Sequence, residues 1–107
     1  MSTYTPDVWV VLELTSPKET IRKVFAGWYG GFAGSDSWKL NSGITQTRRS
    51  GDWLEFEGYS GSTYHCHAKS YKMSGLMHSV LARWMSQADK DGDVQIRILT
   101  FDEAVES

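Results

Sequence analysis

Seven large apolar residues in the last third of the chain, Met73, Leu76, Met77, Val80, Leu81, Trp84 and Met85, fall at i, i+3, i+4, i+7, i+8, i+11 and i+12. That spacing places them along one face of an α-helix, with polar residues on the other. Such a stripe must be covered, and everything before it reads as strand. Ser70 is the expected N-cap and Gly92 the expected stop. A helix of about 18 residues reaches roughly 27 Å, enough to cross several strands. Burying its stripe supplies roughly 1.5–3 kcal/mol per large side chain.

The strands are read from period-two alternation and turn signals. After a lead-in from Met1 to Asp7, Val8–Leu14 is apolar on both faces up to Glu13, as in a central strand covered on at least one side. Ser16-Pro17 marks a turn, and Thr20–Trp28 pairs back as a half-buried strand. Ser37–Leu40 starts another, interrupted at Asn41-Ser42-Gly43 by a bulge or turn. Ile44–Arg49, Trp53–Glu57 and Ser62–Ala68, joined by short links, form an antiparallel meander. In it, Leu54 and Phe56 share a face, as do Tyr64, Cys66 and Ala68. Val94–Leu99 is a final strand, and the acidic segment Phe101–Ser107 is expected to fray. The 107 residues fit one domain spanning 1–107. The expected fold is α+β: a twisted antiparallel sheet of five to six strands with one long C-terminal amphipathic helix packed on one face.

Several function classes are excluded or disfavoured. A net charge of −2 gives no global basic field for nucleic acid. No apolar run is long enough to span a bilayer, and no secretory signal opens the chain. The single cysteine excludes an internal disulfide and fits a reducing compartment, so a cytoplasmic protein is expected. His65 and His67 are candidate metal ligands, because residues two apart on a strand point the same way. Cys66 points to the opposite face, and His78 lies off the apolar stripe, so the expectation is no metal and no cofactor. As a nucleophile Cys66 lacks a neighbouring base. Asp89-Lys90-Asp91-Gly92-Asp93 imitates the start of a calcium loop but has Val94 and Thr100 where glycine and a bidentate glutamate belong. Arg48, Arg49, Lys69, Lys72 and Arg83 form no more than a mixed surface, with Asp52, Glu55 and Glu57 nearby.

The stretch Ala26–Trp38 holds four of the ten glycines and four of the fourteen aromatic residues. Its glycines match neither the dinucleotide fingerprint nor the P-loop, so they serve loop shape. Its aromatics, Trp28, Tyr29, Phe32 and Trp38, exceed what a core already holding Trp9 and Trp84 accommodates. Tryptophan and tyrosine are enriched at interface hot spots. Trp28, Tyr29, Phe32, Asp36 and Trp38 are therefore the candidate partner-binding residues.

The string from Ala26 to Ile44, with Tyr59-Ser60-Gly61-Ser62-Thr63-Tyr64 and Met73-Ser74-Gly75, resembles sequences of small uncharacterised bacteriophage and prophage proteins. The resemblance implies a phage accessory protein acting in the bacterial cytoplasm on a host or phage protein, host defences included. It brings no catalytic residues. The expectation is a non-enzymatic binding module using the aromatic and glycine loop. The alternatives are a small-molecule or nucleotide binder with that loop as a lid, and a metal-dependent enzyme at His65 and His67. A homodimer through an unpaired edge strand also fits the strand pattern.

Overall fold

The computed structural model describes residues 2–31 and 34–106. It is α+β, but with two four-stranded sheets where one sheet of five to six strands was expected. The strands are β1 (Thr3–Tyr4), β2 (Val8–Thr15), β3 (Thr20–Trp28), β4 (Ser37–Leu40), β5 (Ile44–Ser50), β6 (Trp53–Gly58), β7 (Thr63–His67) and β8 (Gln95–Ile98), with helices α1 (Gly75–Asp91) and α2 (Phe101–Ala104). One sheet runs β4-β3-β2-β8, the other β1-β7-β6-β5. Every pairing is antiparallel except β1 with β7, which is parallel.

The division into two sheets follows from β2 being apolar on both faces. Trp9 and Val11 point one way, with Val24 and Ala26 of β3 beside them, and meet Leu54, Phe56, Tyr64 and Cys66 of the second sheet. Val8, Val10 and Leu12 point the other way, with Phe25, and meet Met77, Val80 and Leu81 of α1. A single sheet with one helix would leave the first of these faces in water. Folding the meander β5–β7 over the β2–β3 hairpin covers it, giving three layers: sheet, sheet and helix.

The chain changes sheets at Asn41. The Asn41 backbone N–H donates to the Val24 carbonyl at 2.9 Å, and its side-chain oxygen accepts from the Val24 and Gly43 amides at 3.4 and 2.9 Å. Gly58 lies against this corner, and any Cβ there would collide with the Asn41 side-chain nitrogen. The interruption read at Asn41-Ser42-Gly43 is thus the hinge between sheets, not a bulge within one.

The helix begins later than expected. Ala68–Ser70 forms a short 3₁₀ turn, and Lys72 donates its backbone N–H to the Trp9 carbonyl at 3.0 Å. Ser74, not Ser70, is the N-cap, accepting from the Met77 amide at 3.2 Å. Gly92, at φ 72°, closes the other end as a left-handed cap. The helix is not C-terminal, since β8 and α2 follow it. All seven stripe residues pack into the layer between α1 and its sheet.

The segment expected to fray, Phe101–Ser107, instead forms α2 over its first residues. Thr100 caps it in a reciprocal capping box with Glu103, Ala104 is fully buried, and Phe101 packs edge-on against Trp9 and Tyr71. An ion-pair chain fixes this end: Glu13 meets Arg22 at 3.1 Å and Arg97 at 3.2 Å, and Arg97 meets Glu103 at 2.8 Å.

Trp9 joins the layers. Its backbone lies in one sheet, and its indole N–H donates to the His67 carbonyl of the other at 2.7 Å. Its ring contacts Phe56, Tyr71 and Phe101. The Tyr71 hydroxyl donates to the Leu99 carbonyl at 2.7 Å and accepts from the Val11 amide at 3.0 Å. Trp9→Phe removes volume from the core and leaves the half-buried His67 carbonyl without its donor, so it is expected to cost about 2–4 kcal/mol in urea unfolding.

The acid response is also fixed by this structure. Partial burial raises the Glu13 carboxyl, but hydrogen bonds from Arg22 and Arg97, with their charges, outweigh it and hold it below its ordinary value. The Thr100 amide, then Arg97, hold Glu103 low in the same sense. Both groups stabilise the fold above the ordinary carboxylate range and lose that contribution as pH falls through it. The melting temperature of the wild type should therefore drop between about pH 5 and about pH 3, and drop less in the Glu13→Gln, Glu103→Gln double variant.

Candidate functional site

The aromatic and glycine stretch links β3 to β4, and strand alternation splits its side chains between two faces. Trp28 pairs with Ser37 and Trp38 with Gly27, so Trp28 and Trp38 project from opposite sides of the sheet. Trp28 packs at the rim of the core between the sheets, edge-on to Tyr4, and its indole N–H donates to the Thr5 carbonyl at 2.9 Å. Asp36 accepts from the Gly30 amide at 3.0 Å, and Asp7 accepts from the Tyr29 amide at 2.9 Å. Trp28 and Asp36 therefore hold the segment in place. Phe32 lies outside the described residues.

Tyr29 and Trp38 remain open, at 50% and 40% exposure. With Tyr59 and Ile98 they are the widely exposed large hydrophobics among the described residues. The Trp38 ring stands edge-on to Trp84 of α1 at 5.2 Å and to Phe25 at 5.9 Å. The helix stripe accounts for only one role of Trp84; its second, as the support for Trp38, does not follow from the stripe. The signal was present in principle, since a strand residue opposite Gly27 faces the same side as the helix.

The other candidates separate. His65 and His67 lie on the outer face of the second sheet, where Trp53 stacks on His65 at 4.3 Å and meets His67 edge-on at 4.8 Å. The ring nitrogen Nδ1 of His67 accepts from the Lys69 amide at 3.1 Å. Among the described residues no group of three or more histidine, cysteine or acidic side chains is placed to hold a metal ion. Arg48 pairs with Glu55 and Glu57 on that outer face. Arg49 instead extends over the Phe101 ring, and Arg83 is exposed on α1, so the basic residues form no single patch. Asp89 and Asp91 end a helix that a strand follows. Among the described residues no helix is long and apolar enough to cross a membrane. The sheets end on β5 and β1, and on β4 and β8.

Cys66 is fully buried between the sheets, and burial pushes its thiol far above the ordinary value. Burial likewise raises the Tyr64 hydroxyl to about 12. A protonated, enclosed thiol does not attack. Cys66 should react with Ellman's reagent only at the rate of global opening in the native protein, and within mixing time once denatured; fast native labelling would contradict this packing.

Comparison of the chain with protein-family models, curated proteins and solved structures returns no match.

Proposed function

We propose that this protein is a non-enzymatic binding module that docks a partner protein on the aromatic edge formed by Tyr29 and Trp38. The observation that carries the reading is that two of the four widely exposed large hydrophobics, among the described residues, belong to this one stretch. Trp38 rests on Trp84 and Phe25, so its ring is already oriented and little side-chain entropy is lost on contact. Tyr29 follows a strand whose end is anchored through Asp7 and Asp36. Rigid, half-exposed aromatics of this kind are the usual anchors of protein interfaces. The resemblance to phage proteins supports a host or phage protein as the partner and the bacterial cytoplasm as the place of action.

The test is quantitative affinity capture from infected and uninfected bacterial lysates. A partner held by wild type should be lost with Tyr29→Ala and with Trp38→Ala, each weakening binding by about thirtyfold if it is an anchor. It should be retained with Tyr59→Ala, a more exposed ring elsewhere on the surface. Equal capture by the wild type and a folded Tyr29→Ala, Trp38→Ala double variant would remove the proposal.

A further inference from the structure

The apolar stripe on α1 ends before the helix does. One turn beyond Trp84 the same face carries Ala88, and the turn after that carries Asp91. Alanine is too short to reach the sheet from where the larger residues pack. A cleft of about 320 Å³ results under the last turns of α1. Leu12, Leu14 and Ile96 line its sheet side, Leu40 and Trp84 its flank, and Ala88 the helix side. A second hollow, of about 450 Å³, shares Ala88, Val94 and Ile96 with it. Leu14, Trp84, Val94 and Ile96 are only half-buried, so apolar surface stays partly wet along this seam. Ligand sites start at roughly this size and carry this kind of lining.

Among the described residues lining the cleft itself the charge is of one sign, while Asp89 and Arg97 line the second hollow. Asp91 is the only charged residue among those lining the cleft. The Gln87 side-chain amide donates to both Asp91 oxygens, at 3.1 and 3.3 Å, and so fixes where the carboxylate sits. The C-terminal end of α1 adds the negative pole of the helix dipole. The phosphates of a nucleotide would find no cation among the described residues lining the cleft. We propose that the cleft binds a small amphipathic amine, with a body about one ring in size against Trp84 and Ala88 and its ammonium at Asp91. The aromatic edge formed by Tyr29 and Trp38 lies outside this lining, so the ligand needs no lid from the β3–β4 segment.

Phenethylamine and 3-phenylpropionate, which share a ring and differ in charge, test this by amide chemical-shift titration of the intact protein. Phenethylamine should produce saturable shifts at Ala88, Asp91, Val94 and Ile96, and 3-phenylpropionate should bind more weakly. Asp91→Asn should weaken the amine by about fivefold and erase the preference over the acid. Ala88→Leu, which fills the seam, should weaken the amine by more than about tenfold. Ala88→Val gives the same readout if leucine is not tolerated. Absence of saturable shifts at those amides, shifts elsewhere, equal binding of the acid, or undiminished binding in a folded Ala88 variant would each overturn the proposal.

Discussion

The hydrogen bond from the Trp9 indole to the His67 carbonyl is the contact on which the layered arrangement depends. It crosses from one sheet to the other at 2.7 Å, inside a ring of aromatic contacts from Phe56, Tyr71 and Phe101. A half-buried carbonyl that loses its donor is penalised, so the bond disfavours sliding of the sheets as well as favouring contact. On the other side of the same backbone, Val8 and Val10 meet α1. Strand β2 therefore couples the helix to the distant sheet through alternate residues. Tyr71 extends the coupling, because its hydroxyl bridges β2 and the segment after β8 while Lys72 donates to the Trp9 carbonyl.

Much of this was legible in the residues themselves. The stripe from Met73 to Met85 specifies a helix, and alternation specifies β2, β3, the β5–β7 meander and β8. What alternation does not specify is whether two half-buried hairpins lie side by side or face to face. Leu54, Phe56, Tyr64 and Cys66 have the same pattern in either case. The decision is made at Asn41, where one side chain satisfies the Val24 and Gly43 amides and turns the chain out of its first sheet. Asn-Ser-Gly is an ordinary turn sequence, so the residues at 41–43 do not reveal this use. Strand β1 was hidden for a different reason. It is two residues long and pairs in parallel with β7, a long-range contact with no local signature. The C-terminal segment was hidden because its acidity suggested solvent, while Phe101 and Ala104 had a core to fill.

The candidate site divides along similar lines. Composition alone picks out Ala26–Trp38, but strand parity decides what each aromatic does. Trp28 falls on the side of the second sheet and closes the rim of the core, whereas Trp38 falls on the side of α1 and finds Trp84. Of the three described aromatics in the stretch, the core rim takes up Trp28, and Tyr29 and Trp38 stay open. Ala88 has the opposite effect. A small residue at a stripe position leaves a gap as surely as a surplus ring leaves a patch, and that gap was readable from the spacing.

Trp84 belongs to both surfaces: it supports the Trp38 ring and flanks the cleft beneath α1. Packed rings have a few discrete arrangements, not a continuum, because interiors are close to crystal density. If a ligand in the cleft favours one Trp84 rotamer, it also sets the pose of Trp38, and a partner on Trp38 biases the cleft by the same free energy. A change at Trp84 thus disturbs both surfaces and separates nothing. Tyr29 belongs to the aromatic edge alone, and Ala88 and Asp91 to the cleft alone, so changes there perturb one surface without the other.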